Sequence, residues 1–373
     1  MINKIILFVS VCFLVLSCTL SGTLLISDYF IYFALLFPCL AIFFVKKNIL
    51  INNYLLCYLL LFPVLGAISG FLNSDLTVFF SSLIFFILFF LGFFIYPYVF
   101  KKTYAELYIF EYSTILSFFI ICYLISFDLN IVAPYKSIYE NPNSFGVATA
   151  SISITILSLL FGYLEEKGHS IRKLFFLISF SLTFYLTLYS GSRTSVVAII
   201  VSFILLVFIY FYKNKISFIK SICWFFTFIV FFVYMRDILE ENILQKFSNK
   251  YDGDDLFDGR GYIWEVTFNN AGIFGNGSDY FSKTFALGPH NSFVSILGRL
   301  GYLFTFAFVI LWGWIGYISY MYTINNKYKY SYMYFGGWLG FLILSTTEVM
   351  LFRFLMVISV MYIGCILLKN RSF

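Results

Sequence analysis

The sequence predicts an all-α, polytopic membrane protein of about twelve transmembrane helices, with a long outer loop between helices 9 and 10. Of its 373 residues, 61% are hydrophobic and only 11% are charged, whereas roughly a quarter of a soluble domain is charged. A mean hydropathy of +0.92 leaves more apolar surface than one core can hide from water. The apolar runs last about 20 residues, the length of a spanning helix, and lack the alternation of a β-barrel. This composition excludes a soluble enzyme and a nucleic-acid-binding module.

Twelve apolar runs define the predicted spans, and they make residues 1–373 a single integral membrane domain. The runs are 4–26, 29–45, 54–72, 76–99, 107–126, 146–164, 174–190, 194–212, 217–235, 291–318, 332–347 and 350–368. The first run has the length of a signal peptide, but its removal would break the charge pattern described next, so we interpret it as a span. The last two runs are divided by a short turn that contains Glu348 and Arg353.

The distribution of lysine and arginine predicts which way the chain faces. With the N-terminus in the cytoplasm, most of the 24 basic residues fall in short inner segments, as the positive-inside rule requires. Both termini are then cytoplasmic, and two long segments, 127–145 and 236–290, lie on the outer side. The longer segment holds half of the 18 acidic residues. Because every inner loop is short, we expect the protein to work at its outer face.

Arginine is distributed differently from lysine. The predicted outer positions hold Arg193, Arg236, Arg260, Arg299 and Arg353. Lysine is enough to orient a helix, whereas the planar fork of arginine grips phosphate or carboxylate with two hydrogen bonds. These outer arginines need compensation, either from acidic residues of the loop or from an anionic ligand. Arg193 has no acidic residue within ten positions, so the pattern favours a ligand over a snorkelling side chain.

Two polar clusters accompany these arginines. Ser192 precedes Arg193 at the start of the eighth span, where it can cap the helix and where backbone N–H groups attract an anion. Arg260 lies between Gly259 and Gly261, which let the backbone approach a ligand closely.

Two further clusters lie at the starts of the sixth and tenth spans. His290 and Asn291 open the tenth span, and His290 is the one histidine on the predicted outer side. Because histidine exchanges protons near neutral pH, His290 is a candidate general base, although an interfacial histidine is more often structural. The segment Glu140–Gly146, which contains Asn143, can bind sugar hydroxyls or can form a proline turn with a helix cap.

The sequence predicts neither a metal nor a cofactor. Asp254, Asp258, Gly259 and Glu265 match four positions of a calcium-binding loop, but Leu256 stands where a third oxygen ligand is needed. The seven cysteines all lie in apolar runs and have no CxxC spacing, so they read as packing residues.

In this order the clusters resemble the O-antigen polymerase and O-antigen ligase superfamily. The matching pieces are NPNSFG, YSGSRTSVVAI, GRGYIW, GIFGNG and GPHNSFVSILGRLG. The resemblance implies a GT-C-like helical membrane fold in the bacterial inner (cytoplasmic) membrane, with the active site facing the periplasm. It implies a metal-independent, inverting glycosyltransferase whose donor is an oligosaccharide on undecaprenyl pyrophosphate. The partners it implies are that lipid-linked oligosaccharide, membrane lipid, a chain-length regulator and a flippase, with no nucleic acid.

The same resemblance assigns roles to individual residues. The motif arginines fall on Arg193 and Arg260, which would face the pyrophosphate, and the motif histidine falls on His290, which would take the proton from the attacking sugar hydroxyl. Glu348 and Arg353 have looser counterparts. The candidate substrate-binding residues are Ser192, Asn143, Asn291, Arg299, Glu348 and Arg353.

Three activities remain open at this point. The resemblance favours a polymerase, because the chain is short and has Arg299 near the place where a ligase-like pattern has an acidic residue. A ligase would use the same donor and transfer the glycan to lipid A core. A flippase also fits twelve spans, but transporters need charged or polar groups near the bilayer midplane. Here Glu111 is the one charge that we place inside a span and away from its ends.

Overall fold

A computed structural model describes eleven helices in the well-placed part of the chain. The described residues are 9, 12, 15–16, 19, 23, 52–97, 109–126, 131–214, 260–285, 287–326 and 330–370. The helices are α1 Asn53–Leu72, α2 Leu76–Phe90, α3 Ile109–Ile125, α4 Pro142–Glu165, α5 Ser170–Ser190, α6 Arg193–Asn214, α7 Arg260–Asn270, α8 Tyr280–Thr284, α9 Ser292–Asn325, α10 Ser331–Ser345 and α11 Phe354–Asn370. A π-helical turn, Leu91–Ile95, continues α2. Over these residues the chain is almost wholly helical, with one isolated β-bridge between Thr23 and Tyr139.

Six of these helices are long and apolar enough to cross a membrane, which confirms the prediction of an all-α polytopic membrane protein. They are α1, α2 with its π-helical turn, α4, α5, α6 and α9. The shorter helices α3, α10 and α11 coincide with three more predicted spans. The predicted spans 29–45 and 217–235, and most of 4–26, lie outside the described residues. That the chain forms one membrane domain stays a prediction.

Helix α4 is the centre of the bundle, and almost all of it is buried. Helix α10 approaches it closely at two glycines: a Cβ on Gly336 would lie 2.0 Å from Ser158 Oγ, and one on Gly340 would lie 3.1 Å from Ile154. Small residues of this kind allow helices to pack tightly where no hydrophobic effect drives association. The hydroxyl of Ser158 donates to the Ile154 carbonyl at 2.8 Å, so this buried polar group is satisfied within its own helix.

Helix α4 begins earlier than the predicted boundary at 146. The side chain of Asn141 accepts a hydrogen bond from Ser144 N at 2.8 Å, and Pro142 occupies the first helical position. Both features favour a helix start. The structure thus shows the helix cap, and the binding of sugar hydroxyls by Asn143 stays a prediction. Asn143 lies in the first turn and is exposed.

Helix α9 is longer than the predicted span 291–318, and it is kinked. It runs from Ser292 to Asn325, but Gly301 has φ 87° and ψ 178°, a conformation outside the helix. Just after the kink, the backbone N–H groups of Tyr302 and Leu303 donate to the carbonyl oxygens of Gly272 and Ile273 in the outer loop. The kink thus holds the glycine-rich loop segment by hydrogen bonds. The part of α9 beyond the kink, 302–325, is about 36 Å long.

Contacts between helix ends agree with the predicted sides of the membrane. The N–H of Tyr135, in the predicted outer segment 127–145, donates at 2.8 Å to the carbonyl of Tyr189, at the predicted outer end of the span 174–190. Lys213 and Glu165 are 2.8 Å apart at the predicted inner end. Along α4, Gly146 and Glu165 are separated by about 28 Å, close to the thickness of the hydrocarbon core. That both termini face the cytoplasm stays a prediction.

Candidate functional site

The start of α9 is tied to the turn between α10 and α11. Asn291 caps α9 by accepting from two backbone N–H groups, and its Nδ2 donates to the Thr346 carbonyl at 2.9 Å. The hydroxyl of Ser292 donates to the Glu348 carbonyl at 3.1 Å and accepts from Met350 N at 2.8 Å. Because these bonds hold the backbone of the turn at both ends, the side chain of Glu348 is directed to the neighbourhood of residue 290.

Glu348 contacts two of the three residues that were predicted to be catalytic. His290 Nδ1 lies 3.3 Å from Glu348 Oε2, and Arg260 Nη1 lies 3.8 Å from Glu348 Oε1. Arg260 also donates to the Thr347 carbonyl at 3.2 Å. The side chains of His290, Glu348 and Arg260 are 38%, 17% and 19% exposed. The cluster is therefore partly shielded from water but still accessible to a ligand.

The contact with Glu348 fixes which ring nitrogen of His290 is available. If Nδ1 carries the proton and donates it to the carboxylate, Nε2 keeps its lone pair and can accept a proton from a substrate. The backbone of His290 has φ 45°, in the left-handed region. Such a conformation is unusual for any residue other than glycine, and it persists where surrounding contacts over-determine it.

Arg193, the third predicted catalytic residue, is the first residue of α6 and lies in electrostatic reach of Arg260, as a like charge. Ser192, which precedes it, is buried. The Ser192 hydroxyl is paired with that of Ser195 at 2.8 Å, while the Ser192 carbonyl accepts from Val196 N. Ser192 thus begins the helix through its backbone, and its hydroxyl is engaged inside the protein.

The start of α4 packs directly on the segment that carries Arg193. A Cβ added to Gly146 would lie 2.5 Å from Ser190 Oγ and 2.5 Å from Ser192 Cβ, so only glycine fits this approach. Asn143 lies on the same helix, about one turn closer to the outer end. Through these contacts the structure brings together the motifs that begin α4, α6, α7 and α9.

Two of the predicted substrate-binding arginines, Arg299 and Arg353, make contacts other than those of Glu348 with His290 and Arg260. The guanidinium carbon of Arg299 lies 5.9 Å from the centre of the Phe281 ring, and its carbonyl accepts from Gly277 N. Arg299 therefore helps to hold the outer loop, away from the contacts made by Glu348. Arg353 lies at the end of the α10–α11 turn, where its N–H donates to the Met350 carbonyl at 3.1 Å.

Sequence reasoning underestimated Glu348 and did not select Trp264. Glu348 was a loosely matched substrate-binding candidate, whereas the structure puts its carboxylate between His290 and Arg260. Trp264 Nε1 donates to the Pro289 carbonyl at 2.8 Å, directly before His290. The signal for Trp264 was present in GRGYIW, because residues four apart lie on one face of a helix.

The described residues contain no group of three or more His, Cys, Asp or Glu side chains that could hold a metal ion. Of the calcium-like positions, Asp254, Asp258 and Gly259 lie outside the described residues, as does Arg236.

Residues 174–309 match a family model described as O-Antigen ligase. No curated protein matches the chain. The matched segment includes Arg193, Arg260 and His290, and it runs from α5 through the outer loop into α9. Over this segment, the match supports the resemblance to the O-antigen polymerase and ligase superfamily, and it does not choose between the two activities.

Proposed function

We propose that the protein is a polysaccharide polymerase of O-antigen or capsular type. It would be a metal-independent, inverting glycosyltransferase that joins undecaprenyl-pyrophosphate-linked repeat units at the outer, periplasmic face of the cytoplasmic membrane. The observation that carries the proposal is the convergence of His290 and Arg260 on one carboxylate, Glu348, with Arg193 in electrostatic reach of Arg260. A base and two arginines in one partly shielded place match the two demands of this reaction.

The first demand is a leaving group that gains negative charge. As the bond between the anomeric carbon and the pyrophosphate oxygen breaks, the electron pair stays on that oxygen. Arg193 and Arg260 can stabilise it, because preorganised cations in a site with little water act strongly on developing charge. Arg193 and Arg260 interact as like charges. A bound pyrophosphate would offset this repulsion between the guanidinium groups.

The second demand is removal of a proton from the attacking hydroxyl. In the proposed step, Nε2 of His290 takes this proton as the acceptor oxygen bonds to the anomeric carbon, and the proton is later released to water. Glu348 holds the ring through Nδ1 and stabilises the imidazolium that forms. A single displacement without a protein nucleophile inverts the configuration of the anomeric carbon.

A ligase is the second candidate, because the matching family model bears that description. It would use the same donor, base and arginines, and would pass the glycan to lipid A core instead of to another lipid-linked unit. The decisive experiment gives purified protein in lipid only undecaprenyl-pyrophosphate-linked repeat units. A ladder of products would support the polymerase, whereas transfer that appears only when lipid A core is added would identify a ligase.

The environment of Glu111 speaks against a flippase. This carboxylate, which the sequence places within a span, is 6% exposed and accepts a hydrogen bond from Tyr330 OH at 2.5 Å. Arg172 Nη1 lies 3.6 Å from the same side chain. Tyr330 and Arg172 both belong to the predicted inner end, so Glu111 is compensated there and is not a midplane binding group. A flippase and a chain-length regulator are expected as separate partner proteins.

The base assignment is tested by His290→Ala. We expect the product ladder to fall by about 100- to 10,000-fold, the usual contribution of a general base. The matched control is His169→Ala, because His169 lies at the predicted inner end and its side chain, 46% exposed, contacts Glu166 and the ring of Tyr163. Both variants should insert and elute as the wild type does. Wild-type rates for His290→Ala would remove the base from the mechanism, and a loss of wild-type activity on chelation, restored by calcium, would contradict metal independence.

A further inference from the structure

We propose that Trp264 is a positioning residue that fixes His290 relative to Arg260 by holding the carbonyl of Pro289. The proposal rests on the proposed function, since it takes His290 as the base and Arg260 as a ligand of the leaving group. It goes further by assigning the spacing between Arg260 and Trp264 a mechanical role in coupling these two residues.

The central contact is a hydrogen bond next to the base. Trp264 Nε1 donates to the Pro289 carbonyl at 2.8 Å, and the peptide that contains this carbonyl also contains the N–H of His290. A hydrogen bond to this peptide therefore fixes the orientation of the backbone at His290. The ring nitrogen of the same histidine then meets Glu348 at 3.3 Å.

Helix α7 links this contact to the arginine. Arg260 and Trp264 are four residues apart, so their side chains lie one turn apart on the same face of α7. From that face Arg260 reaches Thr347 and Glu348, while Trp264 reaches Pro289. A single rigid turn of helix thus sets the distance between the arginine and the segment that carries the base.

Helix α7 is itself held in place by a hydrophobic cluster. Its Ile263 is 4% exposed and forms a hydrophobic cluster with Tyr280, Phe281 and Val294, against which the Trp264 ring packs. Val294 belongs to the first turn of α9, so the helix that carries Trp264 and the helix that follows His290 share this cluster. The position of the indole N–H is consequently fixed by this packing.

The segment before His290 needs such support. Pro289 has no N–H to donate, and Gly288 has no neighbouring atoms around the position of a Cβ. Leu287 and Gly288 are exposed, whereas Pro289 is buried. The carbonyl of Pro289 is therefore the group through which this stretch is held, and the left-handed backbone of His290 depends on the stretch staying in place.

The test removes the indole N–H of Trp264. Trp264→Phe keeps an aromatic ring in the cluster but donates no hydrogen bond, and we expect kcat to fall by about 10- to 100-fold because a base displaced by about 1 Å loses that much. The KM for the lipid-linked donor should change by less than roughly threefold, because Arg193 and Arg260 still bind it. A change confined to KM would overturn the positioning role.

Trp338→Phe is the matched control. Trp338 Nε1 also donates to a backbone carbonyl at 2.8 Å, that of Trp312, but it does so within the helical bundle. Both variants thus lose the same kind of bond, and only Trp264→Phe should lower kcat. Equal kcat values in the two variants would refute the proposal. If Trp264→Phe does not fold, a benzothienyl side chain at position 264 removes the N–H while it keeps the shape of tryptophan, and the same outcomes apply.

A combined variant separates this inference from the proposed function. In His290→Ala, the further change Trp264→Phe should cause no additional loss of the residual transfer, because Trp264 acts through His290. A further tenfold loss would show that it acts by another route and would overturn the inference. Wild-type activity of His290→Ala would instead refute the proposed function, whatever the result at position 264.

Discussion

The two ends of the bundle handle charge in opposite ways. At the predicted inner end, Glu165 and Lys213 lie 2.8 Å apart, and their side chains are 4% and 2% exposed. At the outer end, Glu348 is 3.3 Å from His290 and 3.8 Å from Arg260, and these side chains are several times more exposed. The inner charges form a closed pair, whereas the outer charges form an open cluster.

The inner pair is completed by hydrogen bonds from neighbouring helices. Glu165 Oε1 accepts from Tyr332 OH at 2.5 Å and from Asn214 Nδ2 at 3.1 Å. Lys213 Nζ donates to Ser331 Oγ at 3.1 Å and lies 4.5 Å from the centre of the Tyr332 ring. A buried ion pair is tolerated when its remaining hydrogen-bonding groups are satisfied in this way.

The second inner carboxylate is enclosed as well. Burial, followed by the hydrogen bond to Glu111, raises the pKa of the Tyr330 phenol well above its usual range. Tyr330 therefore stays protonated across the physiological range and keeps donating to Glu111.

This difference indicates where the protein has room for a ligand. Two described inner carboxylates, Glu165 and Glu111, each face one cation, Lys213 and Arg172, and these pairs link neighbouring helices. In the described outer cluster, Arg260 and His290 meet one carboxylate, that of Glu348, and the cluster retains solvent access. These side chains are therefore accessible to a ligand, whereas those of the inner pair are not.

The largest effect that separates the two ends is expected from Lys213→Met. It leaves the buried carboxylate of Glu165 without its cation, and we expect a loss of stability of about 3–5 kcal/mol. Thermal unfolding in detergent measures it. Adding Glu165→Gln to the same protein should restore most of the stability, because no charge is then left buried. Transfer activity per folded molecule should stay normal in both proteins, and a selective loss of activity would make the inner pair part of the active machinery.

Arg193→Lys should have the reverse signature. A lysine keeps the charge but cannot present a planar fork to pyrophosphate, so kcat should fall by roughly 100- to 1,000-fold, as for other lost transition-state donors. The unfolding temperature should change little. Arg172→Lys is the matched control at the inner end, where we expect normal activity. If Arg193→Lys transfers glycan at the wild-type rate, the side chain is a snorkelling arginine and not a ligand of the leaving group.

The fold was largely predictable because its signals are local in the chain. Runs of about 20 apolar residues are recognisable one by one, and nine of the predicted spans coincide with described helices. The turn that contains Glu348 and Arg353 was also correctly placed between the last two helices. Errors arose at the ends, where Asn141 and Pro142 start α4 early and where Gly301 interrupts α9.

The site was predictable only in part, because its decisive contacts are not local. The sequence indicated Arg193, Arg260 and His290 by residue type and predicted side. It did not indicate that Glu348, 58 positions after His290, would meet its ring. That meeting depends on bonds from Asn291 and Ser292 to the α10–α11 turn, and no periodicity in the chain encodes them. The sequence likewise did not indicate that the guanidinium of Arg299 would lie over the Phe281 ring, and its role as a ligand stays a prediction.

The smallest expected effect concerns Asp75, which anchors the outer loop to the α1–α2 turn. Its Oδ2 accepts from Ser278 N at 2.7 Å and Ser278 Oγ at 2.6 Å, and its Oδ1 accepts from Thr77 N at 2.9 Å. Burial alone would raise the pKa of the Asp75 carboxyl, but these hydrogen bonds outweigh burial and hold that pKa well below its usual range. The stabilising contribution is therefore complete above the ordinary pKa of aspartate and is lost as the pH falls through the depressed value.

Asp75→Asn replaces the carboxylate by a neutral amide and should cost about 1–2 kcal/mol at neutral pH, because hydrogen bonds to a charged acceptor are the stronger ones. Thermal unfolding of both proteins, repeated in strong acid, measures it, and the difference between them should shrink as the acid protonates Asp75. Asp279→Asn is the control, since Asp279 pairs with Lys283 at 2.5 Å on an exposed surface and such pairs contribute under about 1 kcal/mol. Equal losses in the two variants would mean that Asp75 is an ordinary surface carboxylate. The outer loop, which leads to His290, would then be held mainly by the hydrogen bonds that Gly272 and Ile273 accept at the kink of α9.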